Sequence, residues 1–270
     1  MRVRWIAAPG LARHVCCTLF IALARMNSVA QSGPMDQGTR VNGVTLRARE
    51  TRALHLASGR NAWMAYQIAV KGRIAIDTHA VEVPWDPAIH GPDVSVNVDS
   101  SATQDLGIFM HVSGTMIDEV QVFNLLRTHS FTEPLFWLGR VAGDESLNWL
   151  ERLLETRPDL GVGLVRAVGV HRDAAASSLL KRYAFSPTLS EMARAEALCW
   201  LGQDPRQSSF LERLTVDRSL PLRARCAALL SLIDSSDPKA RELLLSLRLQ
   251  LNEPVLLRLI DRSSARSQQQ

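Results

Sequence analysis

Apolar residues along this chain change their period once. From Val44 to Val122 they alternate with polar ones. The sets are Val44/Leu46/Ala48, Met64/Tyr66/Ile68/Val70, Val81/Val83, Val94/Val96/Val98, Ile108/Met110/Val112, and then Met116 with Val120/Val122. A period of two puts each set on one face of a strand. Clusters of Gly, Pro, Asp and Ser bound the runs, and Ser113-Gly114 is a hairpin signal. Pro84-Trp85-Asp86-Pro87 and His90-Gly91-Pro92-Asp93 mark a long loop. These signals predict a small antiparallel β module over residues 41–125, with one packed and one solvated face.

From Pro134 onward the apolar spacing becomes three and four, which predicts short amphipathic helices. One family of helices is centred on Ala197/Leu198/Leu201 and Ala228/Leu229/Leu232. The other contains Leu147/Leu150/Leu153/Leu154, Ala176/Leu179/Leu180/Tyr183, Phe210/Leu211/Leu214 and Ala240/Leu243/Leu244/Leu247. Asp204-Pro205 and Asp237-Pro238 are an N-cap followed by an N1 proline, and Asp144 and Asp173 supply caps without the proline.

The pattern also repeats. Trp137-Leu138-Gly139 returns as Trp200-Leu201-Gly202, with Val168-Gly169 and Leu232-Ile233 at matching places, at spacings of 30, 33 and 31 residues. Arg194, Arg225 and Arg258 recur at 31 and 33, each early in a first helix. This grammar resembles the short HEAT repeat, also called PBS-lyase-like, whose first helix carries an Arg, then Ala, then a Leu-Gly end. The second unit departs from it, with Gly161 where the Arg belongs. The resemblance covers roughly residues 131–262 and implies, over a domain of residues 126–262, an α-α superhelix (α-solenoid) closed by a single capping helix near Arg262. Together with the β segment and its Trp63-Met64-Ala65-Tyr66 element, the chain resembles uncharacterised exported bacterial HEAT-repeat proteins. Regular spacing gives Trp137, Gly139, Arg194, Trp200, Gly202, Arg225 and Arg258 structural roles first.

The ends change the charge argument. Arg2, Arg4 and Arg13 precede an uncharged run from Val15 to Ala24, and Ser28-Val29-Ala30 is a small-x-small cleavage site. Residues 1–30 therefore read as a signal peptide, 31–40 as a disordered linker and 263–270 as a disordered tail. The whole chain has 31 basic and 27 acidic residues, but four of the basic ones lie in the leader. The mature chain is formally neutral, which argues against nucleic-acid binding. The apolar run is too short for a transmembrane helix, so no stable span is expected after cleavage.

Catalytic grammar is absent. The mature histidines, His55, His79, His90, His111, His129 and His171, have no His partner three or four residues away, and there is no Cys-x-x-Cys. No metal or cofactor site is therefore expected. Neither Gly-x-Ser-x-Gly nor a Walker loop occurs. Asp118 and Glu119 are adjacent in a strand and point to opposite faces. The remaining cysteines, Cys199 and Cys226, are offset by a helical turn in adjacent repeats and read as unbridged.

The sequence thus predicts an α+β chain: an N-terminal antiparallel β module followed by a HEAT-like α-solenoid. Its expected function is non-enzymatic, an exported periplasmic or secreted scaffold that binds a protein partner in the cell envelope. The HEAT resemblance also implies an alternative, an enzyme or enzyme accessory of the PBS-lyase-like type, similar to tetrapyrrole–protein lyases. Candidate binding residues are Trp85, in its proline-flanked loop, and Arg213, Arg218, Arg223 and Arg241.

Overall fold

The computed structural model describes residues 38–74, 76, 103–126, 129, 131–235 and 237–267. The predicted leader, the strands at Val81/Val83 and Val94–Val98, and the Trp85 loop lie outside the described residues. The strands are β1 (Thr39–Arg40), β2 (Ala62–Ile74), β3 (Thr103–Ser113), β4 (Met116–Asn124) and β5 (Leu135–Val141). The helices are α1 (Leu46–Ala57), α2 (Gly143–Thr156), α3 (Gly161–Gly169), α4 (Ala174–Ala184) and α5 (Glu191–Gly202). They continue with α6 (Ser208–Val216), α7 (Leu222–Ile233), α8 (Ala240–Gln250) and α9 (Pro254–Ser267).

The architecture is α/β-like, and it corrects the expected antiparallel module followed by a superhelix. A mixed five-stranded sheet runs in the order β1-β5-β2-β3-β4, with nine α-helices among the described residues. β5 pairs in parallel with both β1 and β2, while β3 pairs antiparallel with both β2 and β4. The parallel pairings use the crossover β1-α1-β2, and β5 enters between its two strands.

Two local readings produced the wrong class. The alternation of Val44, Leu46 and Ala48 predicts a strand, but Leu46 and Ala48 lie in the first turn of a helix and Val44 precedes its cap. Val44 is 97 % exposed and Leu46 is buried. Thr45 caps α1 by accepting a hydrogen bond from Ala48 N at 3.2 Å. Leu46, Ala53 and Ala57 then form its buried stripe, and Ser58 and Gly59, at φ 51° and 74°, end it. The second segment is Trp137-Leu138-Gly139, which the repeat spacing predicts to end a helix. It lies in β5, where Leu135, Phe136, Trp137 and Leu138 are all buried. A strand covered on both faces reads as a continuous apolar run, with no period to distinguish it from a helix. Gly139 has φ 81°, outside the helical region.

The later helices fall where the spacing put them. Asp173 caps α4 through Ala176 N at 2.7 Å, and Asp204 accepts from Arg206 N at 3.1 Å in the short turn before α6. The N-cap of α2 is Ala142 rather than Asp144. α9 extends through Ser267, beyond the predicted start of the tail. α3, α5, α7 and α9 pack in sequence, each on the next; α2 packs on α4, and α6 on α8.

Sheet and helices share one core. Met64, Tyr66, Ile68, Ile108, Met110, Val120, Val122 and Leu138 from the strands belong to the same buried cluster as Leu150, Leu164, Leu198, Leu229 and Leu256 from the helices. α3 sits so close to β4 that a Cβ on Gly163 would lie 2.2 Å from Val120 O. Arg157 donates to Ile117 O, which gives β4, the last strand of the sheet among the described residues, a second cover. Polar bonds tie α1 and α2 into the same layer. Tyr66 Oη and Ser146 Oγ are 2.9 Å apart in the core, and Trp149 Nε1 donates to Glu50 at 2.8 Å. Arg49 donates to Leu138 O and, at 3.3 Å, to Arg140 O.

Candidate functional site

The helices cover one face of the sheet, and the other face gathers aromatic residues. Ala65, Phe109, Leu125, Leu135 and Trp137 form a second buried cluster, with Trp63, Phe123 and Phe131 packed on it. Residues from the β4–β5 connection lie across this face. Phe131 stacks on Phe109 at 5.4 Å and tilts against Trp63 at 5.7 Å. His129 lies 4.5 Å from Phe123 and bonds Asn124 O at 2.8 Å. The connection therefore straps the outer face as the chain returns from the end of β4 to the start of β5.

His111 sits at the rim of this cluster, its ring 5.1 Å from that of Trp63. Nδ1 is 2.6 Å from Asp118 Oδ1 and Nε2 is 3.4 Å from Glu133 Oε2. Partial burial opposes protonation of the ring, but the hydrogen bond and charge of Asp118, and then Glu133, outweigh it and raise the pKa above its ordinary value. A general base needs a free nitrogen within reach of substrate. Both nitrogens of His111 are engaged, so the geometry is that of an ionic latch from β3 to β4 and the strap. In sequence His111 has no His partner three or four residues away, and nothing local marks its carboxylate neighbours. Hairpin counting from Ser113-Gly114 would have brought it opposite Asp118; a bulge shifts the register, so that it pairs with Glu119.

Other polar groups also have structural partners. Arg225 is buried, donating to Thr215 O at 2.8 Å and pairing with Glu253 at 2.7 Å. That hydrogen bond holds the Glu253 carboxyl far below its ordinary range, at about 2. His171 is buried with Nδ1 2.9 Å from Ala167 O, and burial lowers its pKa. Among the described residues, no group of three His, Cys, Asp or Glu side chains is placed to hold a metal ion. Cys199 and Cys226 are free. An open groove of about 390 Å³ on α2 is lined by Asn148, Glu151, Arg152 and Glu155.

The surface of α4, α6 and α8 carries apolar groups with less evident partners. On α8, Leu245 and Leu249 are 58 % and 88 % exposed. Four-residue spacing places them on one stripe with Arg241. Phe185, at the end of α4, is 44 % exposed and meets Phe210 of α6 edge-on at 6.3 Å. Lys181 lies 4.9 Å above the same Phe210 ring.

The predicted binding arginines divide between two regions. Arg213 and Arg241 are exposed on α6 and α8. Arg218 lies 4.0 Å from Glu253, and Arg223 pairs with Glu191 at 2.7 Å across the first turns of α7 and α5. Trp85 is outside the described residues. Among the repeat positions, Trp137 and Gly139 are in β5. Arg194 donates to Ser186 O at 3.3 Å, and Trp200 donates to Glu196 at 3.0 Å while covering Gly169. Gly202 abuts Ser231 O, where a Cβ would come within 2.5 Å. Arg258 is exposed on α9.

No family model, no curated protein and no solved structure matches the chain. Among the described residues, no helix is long and apolar enough to cross a membrane.

Proposed function

We propose that the chain is a non-catalytic protein-binding component of the bacterial cell envelope, exported by its leader, which seats a polypeptide partner on the α4–α6–α8 surface. The observation that carries this reading is the Leu245/Leu249 stripe, whose two large apolar side chains stand in solvent on one helix face. Covering a leucine fully is worth about 1.5–3 kcal/mol. A partner that buried the pair would thus gain a substantial part of the roughly 8 kcal/mol that a micromolar complex requires. Arg241, on the same stripe, and Arg213, on α6, supply rim charges of the kind that orient such a partner.

The test is site-specific photo-crosslinking in cells. A photoreactive residue replaces Leu245, or Thr51 on α1 as an exposed control. The expected outcome is a discrete polypeptide adduct at 245, absent at 51 and reduced when R241E or L249D is added. Identical adduct patterns at both positions would overturn the reading. The export component has its own readout. A chain recovered from the envelope should begin at Gln31, and an intact leader on a cytosolic chain would refute it.

A further inference from the structure

A second surface lies on the opposite part of the chain. From Val41 to Asn61 there are four arginines and a single acid, Glu50. Glu50 points inward, its carboxylate accepting from Trp149 Nε1 at 2.8 Å. Arg49 also points inward, to the backbone of β5 and to Glu145. The outward face of α1 therefore consists of Arg47, Ala48, Thr51, Arg52, His55 and Leu56, with Arg60 beyond its C-terminus; all are exposed and none is acidic. At 100° per residue, Arg47 and Arg52 flank this face, with Thr51 and His55 between them. Apolar side chains stand at both ends: Val44, 97 % exposed, before the N-cap, and Leu56, 42 % exposed, in the last turn.

We infer that the exposed face of α1 docks on an anionic lipid bilayer surface. Charge complementarity supports this occupant: two exposed cations on one short helix and a third three residues past its end, with no exposed acid among them, match a diffuse field of negative headgroups. A helix of this length spans about 18 Å, so Arg47 and Arg52 can contact the surface together, with Arg60 following just past the C-cap. Val44 and Leu56 would enter the interface at either end. The attachment is peripheral: α1 contributes charge and two apolar side chains without spanning the bilayer. Each arginine near such a surface strengthens partition about 5-fold, so the three together supply roughly 100-fold at low salt.

The test uses the full chain with an environment-sensitive fluorescent amino acid at position 51, or at position 178 on α4 as the internal control. Local emission then distinguishes α1 docking from adsorption through any other part of the chain. Vesicles of phosphatidylcholine with 30 % phosphatidylglycerol should shift the emission at 51 and leave that at 178 unchanged. Pure phosphatidylcholine vesicles should shift neither. R47Q/R52Q should weaken the response at 51 about 30-fold, R47K/R52K should retain it, and 1 M salt, with a screening length of about 3 Å, should abolish it. Circular dichroism melts of both double variants check that the fold is intact. Equal responses at 51 and 178, equal responses to neutral and anionic vesicles, or an unchanged titration for a folded R47Q/R52Q chain would each overturn the inference.

Discussion

Gly163 offers the most direct test of how the helices join the sheet. On an ordinary solvent-facing helix, Gly→Ala is stabilising by about 1 kcal/mol, because alanine has the higher helix propensity. Here the new Cβ would lie 2.2 Å from Val120 O, with Val120 C at 3.1 Å and Val120 Cβ at 3.2 Å. The nearest obstacle is backbone in the middle of β4, so rotating a side chain cannot relieve it. α3 must move away from the sheet, opening contacts around Leu164 and Val165, both of them fully buried. Overpacking of this kind costs about 1–3 kcal/mol. The G163A chain is therefore expected to be less stable than wild type by up to about 2 kcal/mol after the propensity gain, lowering Tm by up to about 8 °C for a chain of this size. Gly143→Ala is the control, since its Cβ would meet only His171 Cδ2, at 3.8 Å. The assay is thermal unfolding followed by far-ultraviolet circular dichroism and by tryptophan emission, with both signals expected to fall together in each chain. A G163A chain with raised Tm would show that α3 does not rest on β4, and the shared core would have to be abandoned.

Three further outcomes follow from individual contacts. Y66F and S146A each strand a buried hydroxyl and should cost about 1–3 kcal/mol in denaturant unfolding, whereas the double variant should recover much of the loss because neither partner is left unpaired. His111 should titrate above the ordinary imidazole value in nuclear magnetic resonance, and D118N should bring it down; since the folded pKa is raised, the latch stabilises fully below about pH 6.5 and is lost as pH rises through the folded value. Glu253 has the opposite sign: with its folded pKa depressed to about 2, its contribution is present above the usual carboxylate range and disappears as pH falls toward 2. R225M should flatten that acid limb of the stability curve, and an unchanged slope would remove Arg225 as its cause.

Much of the helical half was legible because its signals are local. Asp173 capping α4, the buried stripe of α7 and the hairpin at Gly114, with φ 66°, each follow from residues close in sequence. The sheet was not legible for the same reason. Whether Leu135–Leu138 is a strand depends on β1 and β2 lying on either side of it, nearly a hundred and about seventy residues earlier. An apolar run buried on both sides carries no period of its own. The Trp-Leu-Gly likeness between residues 137–139 and 200–202 then supplied a helical analogy that the glycines do not share: Gly139 has φ 81°, whereas Gly202 is helical and admits Ser231 of α7.

The same distinction explains which parts of the candidate surfaces could be seen in advance. The sequence names Arg213 and Arg241 together with Arg218 and Arg223 without assigning a helix face; the fold leaves the first two exposed on α6 and α8 and sets the other two beside Glu253 and Glu191. Leu245 and Leu249 could have been found too, because Leu243, Leu244, Leu245, Leu247 and Leu249 occupy more of α8 than one stripe can bury. The face of α1 required the fold. Arg47, Arg49 and Arg52 look alike in sequence, but the crossover from β1 to β2 turns Arg49 onto the β5 carbonyls and leaves the other two in solvent. Glu50 is the matching case among the acids: the same crossover carries its carboxylate to Trp149, and burial, partly offset by that hydrogen bond, raises its pKa. The cationic character of α1 is thus produced by tertiary structure, since the helix turns its acid inward and displays its bases. E50Q should preserve the Trp149 contact and leave vesicle binding unchanged, whereas moving the acid outward with T51E should weaken binding while the protein stays folded. Equal binding by wild type and a folded T51E chain would remove electrostatics as the basis of docking.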